Sequence, residues 1–228
     1  MWTAEFGEKS ARERIERSAI RLLLNIFRTG LFENPYVDPD RTEATVGNPE
    51  FMQAGYEAQL RSVVLLKNRE NVLPLGSGKK AAFIGEFAKA PRYQGGGSSH
   101  INAYKRTSAF DCAAEYGNVV YERGYSLTDE SENETLLASA VRAAKESDVA
   151  VLFIGLPDSY ESEGYDRDHL RLPQSHDRLV EEVAAAQPNT VVVLHNGSPV
   201  EMPWIDKVKG VLEVYLGGEG IGEATPDV

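Results

Sequence analysis

Short apolar runs alternate with stretches of helical periodicity over the second half of the chain. The runs are unbroken rather than alternating, which is typical of strands covered on both faces of a sheet. Four are clear and one is weaker; they lie at 81–85, 149–154, 190–194 and 211–216, with the weaker run at 119–121. Strands that alternate with helices indicate βαβ units. The pattern predicts an α/β fold, a three-layer α/β/α sandwich of flavodoxin-like type with a mainly parallel sheet.

Two segments between these runs carry apolar residues at helical spacing, at 136–144 and at 179–184. A run of glycines at 217–222 follows the last predicted strand and is expected to open a further helix. Only six residues then remain before the end of the sequence at Val228. We therefore expect the sandwich domain to be truncated at its C-terminus.

The N-terminal part predicts a helix followed by a linker. Ser10 followed by Glu13 is a capping-box pattern, and apolar residues repeat at helical spacing from there to Gly30. Residues 32–48 are rich in Pro, Asp and Asn without periodicity, which indicates an extended segment. We therefore expect residues 1–47 to form a helix and an interdomain linker.

A second helix is predicted at the start of the sandwich domain, which we assign to 48–228. Asn48 and Pro49 form an N-cap and first-turn pair. The helix is expected to continue to about Leu60 and to run toward the apolar residues 63–66, before a loop at 67–71.

Composition and charge exclude several classes of protein. The chain has 24 basic and 35 acidic residues, a net charge of −11, which argues against nucleic-acid binding. No window approaches the roughly 18 uncharged apolar residues of a membrane span, and the N-terminus lacks a basic start and apolar core. The single Cys112 excludes internal disulfides. We expect a cytoplasmic protein without membrane contact.

The most informative segment is 161–167, which directly follows a buried strand. Ligands bind beyond the carboxyl ends of strands in open α/β sheets. Glu161 and Glu163 are two residues apart, so in an extended segment their carboxyls would point the same way and raise each other's pKa. Asp166 and Asp168 could contact a ligand, but turn capping is the favoured interpretation. Arg167 is expected to pair with Asp166 or a nearby Glu and to order the loop; the simpler interpretation is a solvent-exposed charge.

Other patterns are weak. The glycines at 217–222 do not satisfy the dinucleotide spacing G-x-G-x-x-G. Ser198 is followed by Pro199 and lacks a nucleophile-elbow pattern. Cys112 is expected to be a buried packing residue. The histidines show no metal-ligand spacing, so we predict neither a metal site nor a cofactor; they are His100, His169, His176 and His195.

Four segments, taken in order, resemble the family 3 glycoside hydrolases, chiefly the β-glucosidases. Each is modest alone, but together they extend over nearly the whole chain. They are GLFENPYVD at 30–38, SVVLLKN at 62–68 with LPL at 73–75, GGGSS at 95–99, and ESEGYDR at 161–167 with LP at 172–173 and NGSPVE at 196–201.

The resemblance implies an (α/β)6-sandwich domain of a retaining glycosidase, and it identifies the helix within residues 1–47 as the last helix of a barrel domain. In this family the nucleophilic Asp lies on a (β/α)8 barrel and the general acid/base Glu on a loop of the sandwich domain. Glu163 is identified as the acid/base because it directly precedes the Gly-Tyr pair, with Glu161 as the alternative. No segment matches the nucleophile-bearing strand, so we expect the chain to be inactive alone and to need the barrel domain as its partner.

The resemblance also implies substrate contacts. The loop at 95–99 is expected to reach the sugar, with Gly97 and Ser98 as substrate-binding residues together with Arg167. The expected substrate is a β-glucoside or an oligosaccharide, with a β-xyloside next. The simpler interpretation of Glu161 and Glu163 is a pair of solvated loop carboxylates, and the simpler interpretation of the glycines is a flexible loop.

Two other classes of function stay open from the sequence. One is a non-catalytic carbohydrate-binding or assembly module, and the other is a doubly wound nucleotide-binding domain. A sheet edge left unpaired would invite association into homo-oligomers. Sugar titration distinguishes the first alternative, and thermal stabilisation by nucleotide distinguishes the second.

Overall fold

A computed structural model describes residues 2–113, 115–128 and 131–228. The chain divides into two units, Met1–Val46 and Gly47–Val228. In the described part, no helix has the length and apolar character needed to cross a membrane.

The first unit is helical. It contains α1 (Trp2–Phe6), α2 (Glu8–Arg28) and α3 (Pro39–Thr45). The predicted long helix is confirmed as α2, but its predicted capping box is wrong. The helix begins at Glu8 after Gly7, which has a φ of 79°, so Ser10 lies inside the helix and caps nothing.

The predicted linker is not extended throughout, because α3 interrupts it. The carboxylate of Asp38 accepts hydrogen bonds from the amide nitrogens of Asp40, at 3.1 Å, and Arg41. Pro39 occupies the first helical position, where its missing N–H costs no hydrogen bond. The Asp-Pro pair that suggests a linker in the sequence is therefore a helix start.

The second unit begins with α4 (Pro49–Ser62), and its predicted N-cap is confirmed: Asn48 accepts from the Glu50 amide at 2.9 Å. The apolar residues that follow do not continue the helix. They form strand β1 (Val64–Asn68). Val63 adopts an extended conformation and ends the helix, so that the β-branched and leucine-rich run enters the sheet.

The five predicted strands are all present. They are β2 (Ala81–Ile84), β3 (Val119–Glu122), β4 (Val149–Gly155), β5 (Thr190–His195) and β6 (Gly210–Glu213). The sheet order is β1-β6-β5-β4-β2-β3. All neighbours are parallel except β1, which pairs with β6 antiparallel. The α/β fold with a mainly parallel sheet is confirmed.

The two faces of the sheet carry different helices. On one face, α6 (Glu134–Lys145) packs on β2 and β3, and α7 (Gln174–Ala186) packs on β4 and β5. Elsewhere α5 (Ala109–Ala113) packs against α8 (Ile221–Asp227). The helix α8 begins within the glycine run, at Ile221, so the short remaining sequence does suffice for one further helix. Cys112 on α5 is half-buried rather than fully buried.

An apolar cavity of about 520 Å³ lies over one sheet face, next to α5 and α8. Its floor consists of alternate residues of four strands: Phe83, Val151, Phe153, Val191, Val193 and Leu212. The opposite side chains of the central strands, such as Ile84, Leu152 and Ile154, are fully buried. The core therefore covers both faces of the inner strands β2, β4 and β5.

Candidate active site

The strand order places a crevice at the carboxyl ends of β2 and β4. From β2 the chain continues to β3 on one side, and from β4 it continues to β5 on the other. Such a switch point is where open α/β sheets bind ligands. The loops that follow β2 and β4 meet there, together with the turn after β5 and the end of β6. A cavity of about 330 Å³ opens beside them, lined in part by Arg92, Gly95 and Asp158.

Arg92 connects the loops after β2 and β4. Its side chain is 4% exposed. Its Nη1 donates to the carbonyl of Leu156 at 2.8 Å and forms an ion pair with the carboxylate of Glu161. Its Nη2 donates to the main-chain carbonyl of Glu161 at 2.9 Å, and its Nε contacts Asp158 at 3.1 Å. The buried guanidinium of Arg92 therefore fixes the start of the segment 161–167.

Glu161 is held from a second side by the turn after β5. The Gly197 amide donates to its Oε2 at 2.9 Å, and the Ser198 hydroxyl donates to its Oε1. Burial raises the pKa of Glu161, but the hydrogen bonds from Ser198 and Gly197 and the charge of Arg92 outweigh it, so the pKa lies below its ordinary value. Glu161 is thus an ionised carboxylate whose two oxygens are both bonded.

Glu163 has different partners and is exposed. The Ser98 amide donates to its Oε2 at 2.7 Å. Hydrogen bonds from the hydroxyl and the amide of Ser98 lower the pKa of Glu163. The two glutamates therefore do not share a site. The expectation that they raise each other's pKa is wrong, because each carboxylate has its own donors: Arg92, Gly197 and Ser198 for Glu161, and Ser98 for Glu163.

The glycines at 95–97 bring the two loops together. A Cβ on Gly97 would lie 2.4 Å from Cβ of Glu163, and one on Gly96 would lie 2.9 Å from Oγ of Ser162. Gly97 also has a φ of 71°, which favours glycine. The glycine run thus permits close approach of the loop bearing Glu163.

Arg167 lies at the end of the same loop and is bonded to the turn after β5. Its Nη2 donates to the Ser198 hydroxyl at 2.7 Å and to the Pro199 carbonyl at 3.1 Å. The predicted pairing with Asp166 or a nearby Glu is therefore wrong. Arg167 and Glu161 instead meet at one hydroxyl, which places Arg167 in the same network and supports its predicted role in ordering the loop.

Glu213 completes the site at the carboxyl end of β6. It is 6% exposed. Its carboxylate accepts from Nδ2 of Asn196 and from the amide of Tyr215, each at 3.0 Å. Burial raises the pKa of Glu213 to about 7, against the hydrogen bonds from Tyr215 and Asn196, and the charge of Glu161 raises it further. Glu213 therefore titrates near neutral pH beside the acidic loop.

The histidines nearest this edge are buried. Burial lowers the pKa of His176 to about 3 and that of His195 to about 4. The His176 ring packs 3.9 Å from the Tyr125 ring, and its Nδ1 accepts from the Gly155 amide at 3.4 Å. Both rings are neutral packing groups under the sheet edge.

Sequence reasoning missed Arg92 and Glu213. Both could have been found from their positions, because Arg92 lies in the loop after a predicted strand and Glu213 is the one charged residue of the otherwise apolar predicted strand 211–216. A charged residue at the carboxyl end of a buried strand points to the ligand edge of the sheet. Of the predicted residues, the structure brings Gly97, Ser98 and Glu163 together in one cluster. It brings Glu161 and Arg167 together in another.

The fold and the candidate site define an α/β-sandwich domain. It carries two carboxylates, Glu161 and Glu163, on one loop at the edge of the sheet where the parallel strands end. Residues 63–228 match the family model described as the glycosyl hydrolase family 3 C-terminal domain. The chain belongs to glycoside hydrolase family 3, as the predicted resemblance implied.

Relatives of this chain are named as glycosidases. It is 53% identical over 176 residues to thermostable β-glucosidase B of Acetivibrio thermocellus, a match that covers 75% of this chain and 23% of the relative. It is 45% identical over 187 residues to an exo-α-(1→6)-L-arabinopyranosidase of Bifidobacterium longum, covering 77% of this chain and 25% of the relative. The chain spans about a quarter of the length of these relatives.

A solved structure shares the fold over the full chain. The family 3 β-glucosidase of Bifidobacterium adolescentis superposes with a TM-score of 0.76 at 37% identity, covering 100% of this chain and 33% of that one. The β-glucosidase of Listeria innocua in complex with gluconolactone gives a TM-score of 0.77 at 26% identity, covering 91% of this chain and 29% of the other.

Proposed function

We propose that this chain supplies the general acid/base of a retaining β-glycosidase, with Glu163 as the proton donor. The observation that carries the proposal is the division of partners between the two carboxylates. Both oxygens of Glu161 are occupied by Arg92, Gly197 and Ser198. Glu163 is exposed, and among the described residues it is bonded only by Ser98 of the loop 95–99. It is the carboxyl that is free to reach a substrate.

The chemistry needs a second carboxylate, which is proposed to come from an Asp on a (β/α)8 barrel domain. That Asp attacks the anomeric carbon while Glu163 protonates the leaving glycosidic oxygen, forming a glycosyl-enzyme. Glu163, now a carboxylate, then removes a proton from the water that hydrolyses this intermediate, and the Asp carboxylate is restored.

The pKa of Glu163 must be higher in the assembled site than in this domain. In the domain, hydrogen bonds from Ser98 lower it, whereas a general acid must keep its proton near neutral pH. Two changes raise it on assembly: burial under the barrel, and the negative charge of a nucleophile about 5 to 5.5 Å away. The isolated chain is therefore expected to be inactive.

The residues around Glu163 have supporting roles in this proposal. Gly97 lets the loop approach the sugar, and Ser98 bonds either Glu163 or a sugar hydroxyl. Arg167, whose Nη2 is bonded to Ser198, orders the acid/base loop, and a direct sugar contact is part of the proposal. The proposed substrate is a β-glucoside or an oligosaccharide; support for the β-glucoside comes from a relative that is named a β-glucosidase.

The test joins this domain to a barrel. The matching segment of thermostable β-glucosidase B, which is 53% identical, is replaced by this chain, and the chimera is assayed on an activated aryl β-glucoside. Glu163→Ala is expected to lose turnover and to regain it with azide. Azide enters the space left by the carboxyl and attacks the anomeric carbon of the glycosyl-enzyme without a general base, which releases a glycosyl azide and restores the nucleophile. Rescue of Glu161→Ala instead would contradict the assignment.

The isolated chain provides the matching control. Under the same assay it is expected to show no turnover above background, since the proposed nucleophile lies on the barrel. Turnover that is abolished by Glu163→Gln would mean that the chain carries a complete site, and the two-domain proposal would be wrong.

A further inference from the structure

Glu213 is a buried carboxyl group that the proposed proton transfer does not use. It accepts from two donors, Nδ2 of Asn196 and the amide of Tyr215, each at 3.0 Å. An ionised carboxylate accepts both bonds, whereas a protonated one carries a hydroxyl that competes with one donor. The arrangement therefore fits the ionised form of Glu213, in a buried position that opposes ionisation.

Asn196 links Glu213 to the turn that holds Glu161. The same nitrogen that donates to Glu213 also donates to the Ser198 carbonyl at 3.1 Å, which closes the turn after β5. From that turn, the Gly197 amide donates to Glu161 at 2.9 Å, and the Ser198 hydroxyl donates to its other oxygen. A continuous chain of hydrogen bonds thus connects Glu213 to the acidic loop.

Tyr215 adds a second observation that fits the ionised form of Glu213. Its φ of 54° is unusual for a residue with a side chain and costs about 1 kcal/mol. The amide of Tyr215 bonds Glu213, so this carboxylate holds the strained residue at the sheet edge. Backbone strain of this kind persists where surrounding contacts fix it.

Few charges of the described chain face Glu213. Glu161, from the loop after β4, opposes its ionisation, and Arg92 offsets the charge of Glu161. The neighbouring elements contribute uncharged residues: β1 places Val64 opposite Glu213 in the sheet, and Gln59 of α4 donates to the Val214 carbonyl. Glu161 is therefore the ionisable group to which Glu213 is coupled.

We propose that Glu213 is a positioning residue for the acid/base loop. When ionised, Glu213 fixes Asn196 and the turn after β5. That turn fixes Glu161, which lies two residues before Glu163. When Glu213 is protonated, the turn loosens, and its hydrogen bonds to Glu161 weaken. The catalytic meaning rests on the proposed function, but the hydrogen-bond chain can be tested in this chain without catalysis.

The test is an NMR titration of the 228-residue chain from about pH 5.5 to 8.5, a range chosen to include a carboxyl group that titrates near neutral pH. The amide signal of Tyr215 reports direct contact with Glu213. The amide of Gly197 bonds Glu161 and not Glu213, so it reports only effects transmitted through the turn. Both signals are expected to move with one shared midpoint. A constant Gly197 signal beside a titrating Tyr215 signal would overturn the proposal.

Substitution gives the second measurement. In Glu213→Gln only one of the two accepting oxygens remains, so either Asn196 or the Tyr215 amide loses its acceptor. The Gly197 amide is therefore expected to exchange with solvent about tenfold faster at high pH, and its titration is expected to vanish. Glu201→Gln, the same change at an exposed residue beyond the same turn, is expected to leave both unchanged. Equal Gly197 exchange in Glu213→Gln and the wild type would also overturn the proposal.

The outcomes separate this inference from the proposed function. An inactive chimera would count against the acid/base assignment and leave the Gly197 titration unaffected. The wild-type titration needs no substitution, so it decides the matter even if Glu213→Gln fails to fold.

Discussion

Arg92 binds Glu161 at both its side chain and its main chain. The guanidinium pairs with the carboxylate and also donates to the Glu161 carbonyl at 2.9 Å. Because Arg92 follows β2 and Glu161 follows β4, this contact spans the switch point of the sheet. The position of Glu163, two residues further on, is therefore set from inside the domain.

Removing Arg92 is expected to destabilise the domain strongly. Arg92→Met leaves Glu161, whose side chain is 14% exposed, without its cation, and a broken buried pair costs about 3 kcal/mol. The free energy of unfolding from urea denaturation measures the effect. Arg123→Met is the control, because the Arg123–Glu86 pair is more exposed and is expected to contribute less than about 1 kcal/mol. Equal losses in the two variants would contradict the prediction.

Gly97→Ala is expected to displace Glu163. A Cβ there would lie 2.4 Å from the Glu163 Cβ, so the loops must separate and the Ser98 hydrogen bond must weaken. The pKa of Glu163 is then expected to rise toward its ordinary value, as measured by carboxyl carbon NMR. Gly78→Ala is a matched control: Gly78 has a φ of 81°, but a Cβ there would meet no described atom within 4 Å. A Glu163 pKa that is unchanged in Gly97→Ala would show that the loops are independent.

The buried histidines are expected to make the domain sensitive to acid. Burial lowers the pKa of His176 to about 3 and of His195 to about 4, so the unfolded chain binds more protons below the ordinary histidine pKa. Stability is therefore lost as pH falls, by about 1.4 kcal/mol per pH unit for each histidine. His176→Gln is expected to reduce the slope by that amount between about pH 6 and 4.

The control for acid sensitivity is the same change at a more accessible histidine. His169→Gln is expected to leave the slope of unfolding free energy against pH unchanged, since the His169 side chain is 33% exposed. A slope that is equal in His176→Gln and the wild type would mean that His176 is protonated in the fold.

Glu213 is expected to change the stability of the domain with pH in the direction opposite to that of the histidines. Its pKa is raised by burial to about 7, so the folded state holds a proton that the unfolded chain has already released. Its contribution lowers stability as pH rises from about 4.5 to 7, by about 1.4 kcal/mol per pH unit. Glu213→Gln is expected to lack this decline in urea denaturation, whereas Glu201→Gln retains it. A decline that persists in Glu213→Gln would assign it to another group.

The central strands could be predicted from the sequence because burial on both faces leaves unbroken apolar runs. The edge strand β1 could not, since its apolar residues directly follow a helix and its pairing partner β6 is distant in sequence. The helix α3 was missed for a different reason. Asp38 and Pro39 favour both linkers and helix starts, and only the hydrogen bond to Asp40 distinguishes the two.

The site was predicted in part. The sequence places Glu161 and Glu163 on one loop, but their separate partners depend on where the loops after β2 and β5 lie in three dimensions. Arg92 shows the limit: it lies 69 positions from Glu161 in the sequence, and only the parallel order of β2 and β4 brings the two together. Spacing along the chain carries no signal for such a contact.

The fixed position of Glu161 also has a consequence for assembly. A glutamate side chain loses about 1.5 to 2 kcal/mol of conformational entropy when it is confined to one rotamer. For Glu161 this loss occurs as the domain folds, since Arg92, Gly197 and Ser198 all belong to the same unit. A barrel domain that docks onto this surface would meet a loop base that is already ordered, so its binding energy would be available to order Glu163 and the sugar.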